Sequence, residues 1–407
     1  MSAPAVRLAL TDPLTGIPLS RLRSWVAVVV MLGGTTFMSL VVTAVSPVMH
    51  AMAEHFGQGG HGKLVAYGVA TVPSIGIMIG GPVTGWTVGR TGTRNFLVGI
   101  LTMFGLVGSA GLYVDNVWVL VATRFVLGIT ASGIVTVTLI MIGEYFTPEM
   151  RARMLGYQAA IGAAGALIII QLSGRIADFG GWRAPFALYL LAIPMLLMAL
   201  AIPRKPSGPS VRAPSAPLGS IMVLWPILLT IVALFVASFM SNLQISFLLA
   251  ADGVAKPSSQ SNVLAAGALM VTIGSAIYGP VRRRLVDRWS LRLSTLLLGI
   301  GIVTMALSHD VLIVALGCAI AGLGTGLVNP TVNNMLITRA APEARGRALG
   351  LGYTARYAGD FLNPVIVQPL TSAFGIHAAI MAVGGAFAVG ALFDTVAGRD
   401  PEGATLL

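Results

Sequence analysis

Two stretches of this chain are written twice, and that duplication constrains its fold more than any other feature. Gly81-Pro82-Val83-Thr84-Gly85-Trp86-Thr87-Val88-Gly89-Arg90 returns half a chain later as Gly279-Pro280-Val281-Arg282-Arg283-Arg284-Leu285-Val286-Asp287-Arg288, each time between two long apolar segments. A second echo fixes the register, because Pro148-Glu149-Met150-Arg151-Ala152-Arg153-Met154-Leu155-Gly156 recurs as Pro342-Glu343-Ala344-Arg345-Gly346-Arg347-Ala348-Leu349-Gly350. One unit is present in two copies, and a repeat of this size sets the architecture.

What surrounds the repeats is lipid-like. Apolar residues make up 56% of the chain and charged residues 10%, whereas soluble domains carry about 25% charged residues. The net charge of +11 is not a nucleic-acid footprint, since the basic residues sit in short clusters between apolar runs, as in retained loops of a polytopic protein. Cys318, the one cysteine of the chain, lies in an apolar run, so no intramolecular disulfide forms. Met1 to Ser20 lacks the apolar core and cleavage site of a secretory signal.

Apolar segments are expected near Trp25–Met52, Leu64–Val88, Phe96–Val114, Trp118–Phe146, Met154–Ala177 and Pro185–Ile202, then near Leu218–Ala250, Asn262–Val281, Leu293–Ser308, Val311–Ile337, Arg347–Thr371 and Ile376–Val396. Each is of spanning length, since about 20 residues cross the hydrocarbon core. The expected fold is therefore an all-α membrane protein of twelve transmembrane helices in two six-helix, pseudo-symmetric bundles. Its divisions are a tail over 1–24, a first bundle over 25–203, a Pro- and Ser-rich linker over 204–217, a second bundle over 218–396 and a tail over 397–407. With both termini cytoplasmic, the inside holds Arg7, Arg21, Arg23, Arg90, Arg94, Arg151, Arg153, Arg204, Lys205, Arg212, Arg282, Arg283, Arg284, Arg288, Arg292, Arg339, Arg345, Arg347 and Arg399, against Lys63, Arg175, Arg183 and Lys256 outside. That bias sets the expected orientation.

The repeated turns resemble those of the major facilitator superfamily of secondary transporters. In that family the turn after the second helix of each half reads Gly-x-x-x-Asp-Arg-x-Gly-Arg-Arg; Gly85, Arg90, Gly92 and Arg94 match it, with Gly89 where the Asp is expected. The second copy keeps Asp287 and Arg288 but has Arg283 and Ser290 at the glycine positions. The resemblance implies a twelve-helix transporter of a bacterial inner membrane that works by alternating access. Its partners would be a small molecule, protons and the bilayer, and a monomer with no cofactor, metal or nucleic acid is expected. Gly85, Arg90, Gly92, Arg94, Asp287 and Arg288, with Glu144 at the end of the fourth helix, would form a cytoplasmic gate. The arginines equally fit a purely topological and lipid-headgroup role.

Charges inside spans are the sharper clue, because one at mid-bilayer costs about 2.5–3.5 kcal/mol on insertion scales. Arg124 begins Arg124-Phe125-Val126-Leu127-Gly128, which resembles the family's Arg-x-x-x-Gly signature of proton-coupled members. Arg356 and Asp360 lie one helical turn apart in the eleventh segment and are expected to pair with each other or with Arg124. Asp360 is the acid deepest within a span and the candidate for proton loading and release. A static ion pair is the alternative. The first-helix acid and the fifth-helix Gly-Pro pair of the family's drug antiporters are missing here. The helix-breaking Pro364 beside Gly359, Asp360 and Asn363 suggests a kink lined by polar groups.

Thr36, Ser39, Thr43 and Ser46 recur at helical steps and form a polar stripe on the first helix. By resemblance the first, fourth, seventh and tenth helices line the cavity, so these residues with Asn242, Gln244, Asn329 and Asn333, and Tyr157, Phe239, Tyr353 and Tyr357 as aromatic walls, would meet substrate. Interhelical hydrogen bonding is an equally open reading for each. His50, Glu54, His55 and His61 gather near the outer end of the first helix, where an outer pH-sensitive gate is a further possibility and a metal site is not expected. No phosphate-binding loop and no nucleophile with a paired base occurs, so the chain is not expected to be an enzyme or an ATP-driven pump. The preferred function is proton-coupled secondary transport of a small organic compound, with export of an amphipathic or weakly charged one slightly favoured. The alternatives are uptake of an organic anion on Arg124 or Arg356, and a transport-inactive receptor of the same fold.

Overall fold

The computed structural model describes residues 20–57, 61–203, 224–341 and 344–392. The expected linker and C-terminal tail lie outside these residues, as do most of the N-terminal tail and the ends 218–223 and 393–396 of two expected segments. Among the described residues, twelve helical segments follow one another with short connections. They are α1 (Arg21–His55), α2 (Gly62–Thr91), α3 (Thr93–Leu112), α4 (Val117–Tyr145), α5 (Pro148–Gly180) and α6 (Ala184–Leu200), then α7 (Trp225–Ala251), α8 (Pro257–Arg284), α9 (Asp287–Ala306), α10 (Val311–Arg339), α11 (Arg345–Phe374) and α12 (Ile376–Gly390). Nine of these, α1 to α5 and α7 to α10, are long and apolar enough to cross a membrane. A spanning helix satisfies its own backbone in lipid, and for that reason an apolar chain of this kind folds as helices. Of the rest, α6 and α12 are apolar but shorter, while α11 has full length yet carries Arg345, Arg347, Arg356 and Asp360.

The chain divides into two compact units, one from the described residues up to 203 and one from 224 onward, with Ser46–Ala51 grouping with the second. Each unit repeats the same internal packing. In the first, α2 and α3 pack on α4, α1 on α5 and α3 on α6; in the second, α8 and α9 pack on α10, α7 on α11 and α9 on α12. α2 and α4 in the first unit, and α8 and α10 in the second, touch backbone to backbone through glycine. A Cβ on Gly128 would fall 1.9 Å from the Pro73 carbonyl oxygen, and one on Gly322 would fall 2.3 Å from that of Gly267. Small residues of this kind are how helices associate where lipid offers no hydrophobic gradient between them.

Termini repeat as well. The Asn116 side chain accepts from the N–H groups of Trp118 and Val119 at the start of α4, and Asp310 accepts from Leu312 at the start of α10. At the other end of the same helices, Arg151 donates to the Gly143 carbonyl at 2.5 Å and Arg345 to the Ile337 carbonyl at 3.2 Å. The duplicated Arg of the Pro-Glu-x-Arg motif thus satisfies an orphan carbonyl in the last turn of the preceding helix, where a cation also meets the negative end of the helix dipole.

Two expectations change. The Gly81–Arg94 stretch, read as a turn, is helical through Thr91, and the reversal is confined to Gly92, whose φ of 79° favours glycine. Gly85 sits mid-helix with open space around its Cα, so it does not serve close packing there. Its counterpart behaves alike, since α8 runs to Arg284 and the reversal falls at Leu285 and Val286. The first and seventh segments, read as unbroken, are each interrupted. Pro47 takes an amide N–H out of α1 after Thr43, and α7 breaks at Phe239. Carbonyls near both breaks are capped from a neighbour, Ala44 by the Ser173 hydroxyl at 2.5 Å and Val236 by the Asn363 amide at 2.7 Å.

Candidate functional site

The charged centre of the second unit lies halfway along α11. Arg356 is buried, and its Nη2 donates to Asn333 Oδ1 at 2.5 Å and to the Asn329 carbonyl at 3.4 Å, both on α10. The rings of Tyr353 and Phe235 lie 4.9 and 5.4 Å from its guanidinium carbon. Rings and carbonyls are the partners that a guanidinium takes where water is scarce. Asp360, one turn further and 3% exposed, is a buried carboxylate at the midpoint of the helix. Pro330 interrupts the ladder of α10 just after Asn329, and the Gly326 carbonyl that it frees accepts from Ser275 on α8 at 3.0 Å. Arg356, Asn333, Asn329 and Tyr353 of the expected set are thus brought together.

Arg124 belongs to a different arrangement. It is fully buried on α4, and its Nη2 donates to the carbonyls of Val107 and Gly108 at 2.6 and 2.8 Å, where the α-helical part of α3 ends. Phe186 and Tyr189 of α6 lie 5.1 and 5.3 Å from its guanidinium carbon. Within its own unit Arg124 has its charge met by helix-end carbonyls and ring faces. Its Nε and Nη1 are buried without a hydrogen-bond partner. In the matching register of the second unit the position is Cys318, which is buried and free.

Several of the uncharged candidates are engaged between helices. On α1, the Ser39 hydroxyl donates to the Gly162 carbonyl of α5 at 3.1 Å, Thr36 packs where a Cβ on Gly165 would sit, and Thr43 is buried and donates to the Ser39 carbonyl at 2.8 Å. Beside this stripe, Thr35 donates to the Gln158 carbonyl at 2.8 Å, and the Gln158 amide returns to the Met31 carbonyl at 2.7 Å. In the second unit the buried Gln244 donates to Asn363 Oδ1 at 3.0 Å. Asn242, Asn329, Asn333 and Tyr357 are half-buried, as is Phe239, while Tyr353 and Tyr157 are exposed. Gln158 was missed in the sequence, and Asn363 was noted there only as a polar group beside Pro364. The signal was there, since each is an amide on the face of α5 or α11 that also carries small residues, but periodicity does not say which neighbour that face meets.

At the arginine-rich ends, Arg94 donates to the Leu200 carbonyl of α6 at 2.6 Å. The Arg90 guanidinium lies 3.6 Å from the Trp86 ring centroid. In the second unit Asp287 gathers three helices, with Arg282 Nε at 2.8 Å and Asn334 Nδ2 at 2.8 and 3.0 Å from its two oxygens. Arg288 follows it in the first turn of α9. The His50 backbone N–H, by contrast, donates to the Ser246 hydroxyl oxygen at 3.2 Å and the His50 ring sits against Phe247, while the His55 ring lies 5.1 Å from Trp182. His55, Glu54 and His61 are exposed.

Two units of six helices with the same internal packing, apolar spans and charges buried mid-helix define a polytopic membrane protein built by duplication. The chain belongs to the major facilitator superfamily, whose sequence model, described as "Major Facilitator Superfamily", matches residues 31–364 and 230–405. Among curated proteins it is similar to the Multidrug efflux pump Tap of Mycobacterium tuberculosis (strain ATCC 25618 / H37Rv), at 31% identity over 120 residues covering 30% of this chain and 28% of that protein. It is also similar to the Arabinose-proton symporter of Escherichia coli (strain K12), at 27% identity over 192 residues covering 46% of this chain and 39% of that one. The matched stretches thus take in well under half the length of these relatives. Among solved structures, the inward open xylose transporter XylE from E. coli aligns with a TM-score of 0.72 at 15% identity over 93% of this chain and 97% of that one. A POT family transporter in complex with 5-aminolevulinic acid aligns with a TM-score of 0.73 at 14% identity over 94% and 97%. At that identity the structures share the fold with this chain.

Proposed function

We propose that the protein is a proton-coupled secondary transporter that moves a small organic compound by alternating access, in a bacterial plasma membrane with both termini cytoplasmic, and that it works in export. Asp360 carries the reading. It is a buried carboxylate at mid-span, one turn from a buried arginine that Asn333 holds in place. Such a group is stable only if it is paired, hydrogen-bonded or protonated, and a change of setting between two conformations would load and release its proton. Arg356 positions Asp360, and the half-buried Asn242, Asn329 and Tyr357 with the exposed Tyr353 contact the substrate. The fixed clasps at Arg94 and Asp287 hold the arginine-rich end of each unit rigid as the units move. Among similar proteins, one is named as an efflux pump and another as a proton symporter, which supports transport and leaves direction to be tested.

A second reading, uptake of an organic anion, has its own support in Arg124 Nε and Nη1 and Arg356 Nε, which are buried without hydrogen-bond partners and suit a carboxylate. The test is substrate-triggered proton flux in proteoliposomes across a panel of cationic drugs and aromatic acids, with Asp360→Asn beside the wild type. Proton entry driven by drug exit, lost in Asp360→Asn, is the expected result. Flux that is unchanged in the variant would remove Asp360 from coupling, and a response to aromatic acids alone would favour the anion reading.

A further inference from the structure

The end of the second unit opposite its arginine-rich loops carries a cluster that the transport reading does not use. Asp252 closes α7, His309 lies in the connection from α9 to α10, and His377 is in the first turn of α12. These three points are far apart in sequence and meet in space. His309 Nδ1 bonds Asp252 Oδ1, His377 Nε2 lies 3.2 Å from the same oxygen, and the two imidazole centroids are 4.6 Å apart. One ligand atom from each residue falls within 4.8 Å of the others.

Burial makes the cluster unusual. The Asp252 side chain is 1% exposed, and its second oxygen, Oδ2, is buried without a hydrogen-bond partner. A desolvated carboxylate with a spare lone-pair oxygen calls for a cation. Neutral imidazoles supply none, but they are the commonest protein ligands for one that enters. The side chain of His309 is 78% exposed, which leaves a path from solvent. Asp310, beside it, is committed to the α10 N-cap through Leu312 N–H at 2.7 Å.

The chain's own duplication supplies an independent comparison. In the register that aligns Val117 with Val311 and Gly181 with Gly375, Asp115 falls on His309 and Arg183 on His377. In the first unit those positions form an ion pair, Arg183 with Asp115, and Arg183 also donates to the carbonyls of Gly111 and Val114 at 3.1 and 3.3 Å. The first copy therefore closes this end with a permanent charge pair. The second copy has exchanged both partners for imidazoles and turned them on a buried carboxylate from a third helix.

We propose that Asp252, His309 and His377 form a binding site for a borderline divalent cation of the Zn2+ class. A tetrahedral centre with bonds of about 2.0–2.1 Å has ligand-to-ligand edges of about 3.3 Å, close to the 3.2 Å between Asp252 Oδ1 and His377 Nε2. Small side-chain rotations bring His309 into the same shell in place of its present hydrogen bond. Two imidazoles and one carboxylate favour Zn2+ over Mg2+ or Ca2+, which prefer all-oxygen shells, and three protein ligands leave one position for water. The bound cation would tether α7, the start of α10 and α12 at this end of the unit.

The experiment uses the full-length protein, purified in detergent without a polyhistidine tag and titrated with Zn2+ by calorimetry, with Co2+ absorption as a reporter of geometry. The chain has 5 histidines, so His55→Gln/His61→Gln serves as the background control. One saturable Zn2+ site per chain is expected, kept in that control and in Asp360→Asn. In His309→Gln, at an exposed position where folding is not at stake, and in His377→Gln, affinity should fall about tenfold or more. Zn2+ should raise the thermal unfolding midpoint of the wild type and not of the His309→Gln/His377→Gln variant. Binding no tighter than that of Mg2+, or wild-type affinity in the double variant, would overturn the site. Because Asp360→Asn leaves these residues intact, failure here and failure of proton coupling are separate results.

Discussion

At the scale of single residues, the buried amides are where structure departs most from sequence. Asn363 is fully buried, accepts from Gln244 and donates to the Val236 carbonyl at the α7 break and to Met240 Sδ at 3.2 Å. Asn363→Leu keeps the volume but strands a carbonyl and an amide, so a loss of about 1–3 kcal/mol is expected, given that interhelical hydrogen bonds in bilayers contribute about 0.6 and at most about 1.7 kcal/mol each. Thermal unfolding in detergent would read it, and Gln244→Leu added to Asn363→Leu should cost less than the two single changes summed. If Asn363→Leu is as stable as wild type, the amide is not holding the break. Asp360 and Arg356 were legible in the sequence because a charge in an apolar run has few bland explanations. Gln244 was not, since an amide facing a cavity and one facing a neighbouring helix have the same periodicity. Asp252, His309 and His377 were illegible for a plainer reason: only the packing of three helix ends makes them neighbours.

Helices were read from apolar length alone, and their cores fell where the sequence put them, while their ends and interruptions did not. Apolar length cannot show that α2 runs on through the glycine-rich stretch to Thr91, because glycine permits a reversal without requiring one. What the glycines do differs from place to place along an element. Gly128 faces the Pro73 carbonyl, with a Cβ there only 1.9 Å from its oxygen, whereas a Cβ on Gly85 would enter open space. Gly128→Ala and Gly322→Ala should therefore each destabilise the protein by about 1–3 kcal/mol through overpacking. Gly85→Ala should stabilise it by about 0.5–1 kcal/mol through a better helix interior. Unfolding midpoints measured side by side separate the two classes. A Gly85→Ala protein that is more stable and yet slower in transport would give this glycine a part in gating, while unchanged transport would leave it a plain helical position.

For the whole molecule, duplication explains both what is shared and what is not. Capped helix starts, arginines on helix-end carbonyls and glycine seams recur in both units because every copy must solve the same backbone problem in lipid. The differences lie where one copy holds a charge that the other lacks: Arg124 against Cys318, Asp287 against Gly89, and the Arg183–Asp115 pair against two histidines. Orientation is the property that these differences leave to the loops. Arginine clusters end α8 and open α9, and His309 lies at the other end of the same unit, so the proposed orientation predicts Arg283 on the cytoplasmic side and His309 on the exterior. Cys318 is the sole cysteine and is buried, so Cys318→Ser gives a silent background. In that background His309→Cys should react with a membrane-impermeant maleimide added to intact cells, and Arg283→Cys only after the membrane is opened. The opposite pattern would invert the protein, reverse the sense of any measured proton exchange, and place the Asp252 cluster where cytoplasmic rather than external cations would fill it.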